Sequence, residues 1–163
     1  MARTSKSKTR SGCPVSVSLD LLGDRWSLLI VRDMMVRGYR TFREFQRAGE
    51  GIASNILADR LQKLEDGGIL KREPAAEDGR STHYRLTAKG IALAPVLLEL
   101  LIWGAHYEKT DALCSAIEKM EQNRAGVIRE AYRRWEQRDP TPLIPPFDST
   151  KSKKNSPKGK SKP

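Results

Sequence analysis

The chain is poor in cysteine, in aromatic residues and in long apolar runs. Its 163 residues include two cysteines, Cys13 and Cys114, and 6% aromatic residues. Two thiols without a CxxC pair, together with two histidines that stand far apart, indicate neither a metal site nor a disulfide framework. No stretch approaches about 20 consecutive apolar residues, and the N-terminus lacks the apolar segment of a secretory signal. We therefore expect a cytoplasmic protein with no membrane partner.

The sequence also lacks the patterns that are typical of enzymes. It contains no nucleophile–base pair, no glycine-rich phosphate loop and no cluster with metal-ligand spacing. We therefore expect no catalytic residues and no cofactor, and we look for a function in binding.

Positive charge is abundant, but it is concentrated at the two ends. The formal net charge is +10, from 30 Lys and Arg against 20 Asp and Glu. Residues 1–12 hold four basic residues and no acidic one, and residues 148–163 hold six lysines and one aspartate, so the rest of the chain is nearly neutral. Little apolar content predicts disorder in a basic arm, 1–12, and in a Pro- and Lys-rich tail, 140–163. The tail lysines either add nonspecific DNA affinity or only aid solubility.

Two helices are expected before the most informative part of the chain. Pro14 suits the first position of a helix that Gly23 ends, and Asp24 suits the cap of a second helix over 25–36. The expected buried stripe of this second helix consists of Trp26, Leu29, Ile30 and Met34.

Residues 41–86 have the pattern of a helix-turn-helix with a wing. Thr41 and Glu44 form a capping box that begins a short helix, and a glycine turn separates it from an amphipathic helix over about 53–66. Two short strand patterns then flank Asp78-Gly79, which is typical of a hairpin turn. The alternative is an ordinary helical domain, since three helices and a hairpin are common.

The second helix of such a unit enters the major groove of DNA, so its face opposite Leu57, Leu61 and Leu64 is expected to meet the bases. Asn and Gln side chains can pair with adenine, and each good pair contributes about 1–3 kcal/mol of discrimination. An arginine at the wing tip can enter a narrow minor groove. For each side chain, a solvated surface position is the alternative. The expected DNA contacts are Arg40, Arg43, Ser54, Asn55, Ala58, Asp59, Arg60, Gln62, Lys63 and Arg80.

Two long helices follow the wing. The first is expected from Thr87 to Tyr107, with a kink at Pro95, and the second over about 111–138. The first has more apolar surface than one winged domain can cover, which favours a two-fold dimer over a larger monomeric core. The residues expected at the dimer interface are Val15, Leu19, Leu97, Leu101, Trp103 and Tyr107.

From Cys13 to about Tyr107 the chain resembles the HxlR-type regulators, winged-helix relatives of the multiple-antibiotic-resistance repressors. The matching segments are CPV at 13–15, LGDRW at 22–26, FREF at 42–45, GIASNILADRL at 51–61, LEDGG at 64–68 and YRLT at 84–87, with Gly90 and Trp103. The resemblance implies homodimers that bind a palindromic operator. Some family members use a cysteine at the position of Cys13 to sense oxidants, and the alternative is an inert, buried thiol.

The sequence thus predicts a mostly α fold with a small antiparallel β-hairpin (α+β), a winged helix-turn-helix with long C-terminal dimerisation helices. The expected units are the arm, a winged domain with its dimerisation helix over 13–108, a C-terminal helix over 109–139, and the tail. The expected function is sequence-specific transcriptional regulation by a homodimeric, nucleoid-associated repressor. Its partners would be double-stranded DNA and an unknown small-molecule or oxidant inducer. The alternative is a winged-helix protein–protein interaction module that does not bind DNA.

Overall fold

The computed structural model describes residues 12–74, 82–110, 112 and 114–143. Most of the basic arm, the wing tip with Arg80, and the tail from residue 144 lie outside the described residues. The fold is mostly helical with a two-stranded antiparallel sheet, as predicted. Its elements are α1 (Pro14–Leu22), α2 (Ser27–Val36), α3 (Phe42–Gln46), α4 (Ser54–Asp66), β1 (Leu70–Pro74), β2 (Thr82–Leu86), α5 (Ala88–Ile91), α6 (Ala94–Tyr107), α7 (Cys114–Gln122) and α8 (Arg124–Gln137).

The inner face of α4 forms the centre of the main core. Leu57, Leu61 and Leu64 are buried at the predicted spacing and belong to the same cluster as Phe45 of α3. Burying a leucine or phenylalanine side chain contributes about 1.5–3 kcal/mol. Because this packing buries the leucine side of α4, the opposite side of the helix faces solvent.

Helix α2 begins later than the sequence predicts, and its buried side differs from the predicted one. The Asp24 carboxylate accepts hydrogen bonds from the backbone N–H groups of Trp26 (2.9 Å) and Ser27 (3.0 Å), so Asp24 does cap this end, but the helix starts at Ser27. The fully buried residues of α2 are Ser27, Ile30, Val31 and Asp33. Of the expected stripe, Ile30 is buried, and Trp26 and Met34 are partly buried against the core.

The Asp33 carboxylate is buried on α2 beside two arginines. It lies 2.8 Å from Arg32 Nη2 and 3.3 Å from Arg37 Nη1. Burial raises the pKa of Asp33, and the two guanidinium groups offset part of that effect. A charged group is buried to this degree only when it has such partners. The spacing of apolar residues does not reveal these partners.

The wing is joined to the helix-turn-helix through its second strand. Strands β1 and β2 pair with Leu70 opposite Leu86. The backbone N–H of Tyr84 donates to the carbonyl oxygen of Arg40 at 2.7 Å, and the Tyr84 ring lies edge-on to Phe45. The base of the wing is therefore fixed relative to α3.

The long helix expected from Thr87 is divided into α5 and α6. The Thr87 side chain accepts from the backbone N–H of Gly90 and caps α5, while Pro95 lies in the first turn of α6. Proline fits a first turn because its missing N–H has no partner there. The predicted kink is thus the end of one helix and the start of another.

The segment Ala88–Tyr107 is nevertheless long and apolar enough to cross a membrane by length and composition, and 28% of it is buried. The segment contains Lys89 and Glu99, so it is not an uninterrupted apolar run. One segment of this kind is weak evidence for a membrane span, since the core helix of a soluble protein passes the same test.

The expected single helix over 111–138 is also two helices. Asn123 ends α7 and caps α8, because its side-chain oxygen accepts from the backbone N–H of Gly126 at 3.1 Å. Arg124 then turns toward α6, where its Nε donates to Glu99 at 2.8 Å. The prediction missed this break because Asn123 can also occupy a helix interior.

Helix α8 and the segment after it pack against the winged domain. Trp135 and Ala131 are in contact with its core, and the backbone N–H of Leu143 donates to the carbonyl oxygen of Val36 at 2.7 Å. Gly38 has φ +72°, and a Cβ there would collide with the carbonyl oxygen of Pro140. Only glycine fits both this backbone conformation and this close approach.

Candidate nucleic-acid interface

The capping box at Thr41 sets the start of α3. Thr41 Oγ1 accepts from the backbone N–H of Glu44 at 3.3 Å, and Glu44 Oε2 accepts from the N–H groups of Thr41 (2.7 Å) and Arg40 (2.8 Å). Partial burial acts to raise the pKa of Glu44, but these hydrogen bonds outweigh it, and the pKa is held below its ordinary value. The predicted box is confirmed.

The first two turns of α4 present an exposed face of small and polar side chains. This recognition face consists of Ser54, Asn55, Ala58 and Asp59, all of which are exposed. It lies opposite the buried leucines of α4, so the groups that the sequence assigned to the DNA side do point outward. Contact with bases stays a prediction.

Gln62, farther along α4, is engaged within the protein. Its Nε2 donates to Asp66 Oδ1 at 2.8 Å, and its Oε1 accepts from Arg72 Nη2 of β1 at 2.7 Å. Both ends of the amide therefore have partners within the protein, and the predicted role of Gln62 in reading DNA would compete with these bonds.

Arg60 and Lys63 of α4 lie toward the carboxylates of Asp24 and Asp59 instead of standing apart in solvent. The guanidinium group of Arg60 lies 3.6 Å from Asp24 Oδ2 and 3.5 Å from Asp59 Oδ2. Lys63 Nζ lies 4.0 Å from the same Asp24 oxygen. Asp24 thus connects the loop before α2 to the middle of α4, which favours a positioning role for Arg60.

The two arginines expected on or before α3 have different surroundings. Arg40 Nη2 donates to the carbonyl oxygen of Arg138 at 2.9 Å, so its side chain is bound to the end of α8. Arg43 is exposed on α3, and Arg47, the residue that follows this helix, is exposed as well. Arg43 and Arg47 are therefore better placed than Arg40 to meet a phosphate.

Sequence reasoning missed Arg72 and Arg138. Arg72 of β1 binds Glu65 Oε2 at 2.8 Å as well as Gln62, and its guanidinium group lies over the Tyr84 ring. Arg138 Nη1 lies 3.5 Å from Glu73 Oε2 of the wing, with φ +56°. Arg72 joins β1 to the preceding helix α4 and Arg138 joins the end of α8 to the wing, and apolar spacing gave no signal for either contact.

Cys13 lies at the N-terminal cap of α1 and is exposed, contrary to the alternative of a buried, inert thiol. Hydrogen bonds from the backbone N–H groups of Ser16 and Val15 lower the pKa of Cys13, because they favour the thiolate. Sensing of oxidants by Cys13 stays a prediction.

The residues expected at a dimer interface divide into two groups. Val15, Leu19, Trp103 and Tyr107 are 66%, 59%, 53% and 73% exposed. Leu97 and Leu101 are instead half-buried, and the exposed positions beside Trp103 on α6 are Val96 and Leu100. We call the exposed set of Val15, Leu19, Val96, Leu100, Trp103 and Tyr107 the apolar stripe.

No candidate metal site is found in the part of the chain that the structure describes. There, no group of three or more His, Cys, Asp or Glu side chains is arranged to hold an ion.

A short capped helix, a turn, a second helix with a polar outer face and a hairpin packed beside them define a winged helix-turn-helix protein. The family model described as "HxlR-like helix-turn-helix" matches residues 21–112, which is more than half of the chain. The chain therefore belongs to the HxlR family of helix-turn-helix transcriptional regulators. This membership implies a cytoplasmic protein.

Similar proteins agree with this assignment. The chain is 31% identical over 110 residues to YdeP, an uncharacterized HTH-type transcriptional regulator of Bacillus subtilis, with 68% of this chain and 85% of YdeP covered. It is 44% identical to PA1607 in a crystal structure, with a TM-score of 0.58 and 64% and 72% of the two chains covered. The redox regulator HypR in its oxidized form is 32% identical, with a TM-score of 0.54 and 60% and 100% covered. All of α7 and α8 lies beyond the family match.

Proposed function

We propose that this protein is a sequence-specific repressor that binds a palindromic operator in double-stranded DNA as a homodimer. The observation that carries the proposal is the exposed recognition face of α4, held outward by buried Leu57, Leu61 and Leu64. Asn55 lies in the first turn of α4, where a recognition helix penetrates deepest and where an amide can pair with adenine. Arg43 on α3 and Arg47 at the end of that helix are exposed and would supply charge for the phosphate backbone.

The apolar stripe supports the homodimer. Its members on α1 and α6 are large apolar side chains, and such surfaces on a soluble protein mark interaction sites. A two-fold axis at the stripe would present two copies of α4 to successive major grooves, about 34 Å apart, which is why a palindromic operator is expected. Binding in this form would make the protein nucleoid-associated.

Oxidant control through Cys13 is the second part of the proposal. The thiol is exposed, and its pKa is lowered by two backbone N–H groups, which raises the fraction of reactive thiolate. Similarity to HypR, a redox regulator, adds support. Oxidation of Cys13, the residue before α1 and two residues before Val15 of the apolar stripe, would alter the dimer and hence the spacing of the two recognition helices.

The decisive experiment selects duplexes that the purified protein binds from a random pool and then compares a selected duplex with a scrambled one. At physiological salt we expect a preference of at least about 10³-fold, which is typical of specific regulators. The same measurement after treatment with a peroxide or a quinone tests the redox part, with Cys13→Ser as the control. Equal binding of both duplexes would contradict sequence-specific regulation, and release that persists in Cys13→Ser would contradict sensing by Cys13.

A further inference from the structure

A large apolar cavity lies between the winged domain and the C-terminal helices. It has a volume of about 650 Å³ and is lined by α2, α6, α7 and α8. Pockets that bind small organic molecules have volumes of about 300–1,000 Å³ and mostly apolar walls. The walls include Leu28 and Met35 of α2, Leu97 and Leu101 of α6, Met120 of α7 and Val127 of α8.

The charged side chains at the cavity are already paired with one another. Arg32 lies 2.8 Å from Asp33 and 3.0 Å from Glu50. Arg37 lies 3.3 Å from Asp33 and donates to the carbonyl oxygen of Ala48 at 3.1 Å. An anionic or cationic ligand would have to break these pairs, at the cost of leaving a half-buried charge without its partner. The cavity therefore favours an uncharged molecule.

The cavity is not the continuation of the apolar stripe. Successive residues of an α-helix are rotated by about 100°, which places Val96, Trp103 and Tyr107 on one side of α6. Leu97, Leu101 and Gly104 lie on a face about 100° away, and this face turns toward the cavity, with Leu100 at the border. A partner subunit seated on the stripe would thus leave the cavity vacant for another occupant.

We propose that this cavity binds a neutral, predominantly apolar organic molecule. Helix α2 forms one wall and also packs against α4, so an occupant that moves α2 acts on the recognition face. The small molecule is then an effector of operator binding. That regulatory consequence rests on the function proposed above, whereas the binding site itself does not.

The test uses two fluorescent probes that share one aromatic skeleton. N-phenyl-1-naphthylamine is neutral, and 1-anilinonaphthalene-8-sulfonate carries an added sulfonate. Titrated into the full-length protein, the neutral probe is expected to bind saturably at one site per chain, and at least 10-fold more tightly than the anionic one. The absence of saturable binding, or tighter binding of the anionic probe, would overturn the proposal.

Gly104 offers a way to fill the cavity from within. A Cβ at Gly104 meets no atom within 4 Å, so Gly104→Phe adds a ring to the open space without a clash in the backbone. We expect at least a 10-fold loss of affinity for the neutral probe, while Ser115→Phe, at an exposed position of α7, keeps it. Met120→Trp fills the cavity from the opposite wall, and it replaces Gly104→Phe as the test of the binding site if that variant does not fold. Unchanged binding in the folded filling variants would overturn the site.

Two further outcomes separate the site from its consequence. If the neutral probe binds only after dilution has dissociated a dimer, a second copy of the chain occupies the cavity and the proposal is wrong. If the probe binds but the affinity for a selected duplex does not change, the site stands and the effector role is wrong. Probe binding by a protein that has no preferred duplex would instead contradict the proposed function alone.

Discussion

The indole Nε1 of Trp135 donates a hydrogen bond to the carbonyl oxygen of Leu86 at 2.7 Å. This bond joins α8, which lies beyond the family match, to the second strand of the wing. The guanidinium group of Arg85 lies over the same indole ring and donates to the Trp135 carbonyl oxygen at 3.0 Å. The C-terminal helix is thus an integral part of the winged domain.

Trp135→Phe should destabilise the protein while keeping most of the packing. The change leaves the carbonyl oxygen of Leu86 without its donor, and an unsatisfied buried acceptor costs about 1–3 kcal/mol. Urea unfolding followed by circular dichroism measures the loss. Glu136→Gln, at an exposed position of the same helix, is the control. Equal stability of Trp135→Phe and the wild type would show that the bond contributes nothing.

Asn55→Ala should lower affinity for the selected duplex more than for a scrambled one. A lost adenine pair corresponds to about 1–3 kcal/mol, or roughly 5- to 150-fold in the dissociation constant. Fluorescence anisotropy with labelled duplexes gives both values. Gln62→Ala is the matched control, because that amide is engaged by Asp66 and Arg72, and we expect little loss of specificity. The reverse ranking of the two variants would contradict the assigned recognition face.

Arg43→Ala and Arg40→Ala should differ in their salt dependence. Each phosphate contact that is removed lowers the slope of log affinity against log salt by about 1. We expect this decrease for Arg43→Ala. Arg40 is bound to the Arg138 carbonyl oxygen, so Arg40→Ala should lower the free energy of unfolding and leave the salt slope nearly unchanged. Binding isotherms at four salt concentrations measure the slopes. A decrease for Arg40→Ala alone would place the phosphate contact at Arg40.

The thiol of Cys13 should react at lower pH than an ordinary cysteine. Hydrogen bonds from backbone N–H groups lower its pKa in the folded protein, so the thiolate forms at a lower pH there than in the unfolded chain. Alkylation by iodoacetamide, followed by mass spectrometry of the Cys13 peptide from pH 5 to pH 10, gives the midpoint. A midpoint that is the same in the folded protein and in urea would contradict the predicted activation.

Trp103→Glu should weaken the dimer. A carboxylate in the middle of the apolar stripe would have to lose water on association without a partner. Sedimentation velocity over a range of concentrations should show a shift toward monomer, whereas Lys119→Glu, on the exposed face of α7, should leave the equilibrium unchanged. If Trp103→Glu stays as dimeric as the wild type, the two-fold contact lies elsewhere.

Local patterning predicted the parts of the fold that local interactions determine. The capping box at Thr41, the buried face of α4 and the two strands of the wing follow from spacing and turn chemistry alone. The burial of Asp33 depends on its partners Arg32 and Arg37, and the partners of Arg40 and Gln62 come from the end of α8 and from β1. The break at Asn123 and the cavity follow from how α7 and α8 pack. The spacing of apolar residues does not reveal such contacts.

We propose that the outer face of α4 reads a DNA sequence. The ratio of the dissociation constants for a scrambled and a selected duplex at physiological salt, determined for the wild type and for Asn55→Ala, measures this directly. We expect a ratio of at least about 10³ for the wild type and a clearly smaller ratio for the variant. A wild-type ratio near one, or a high ratio that Asn55→Ala leaves unchanged, would contradict it.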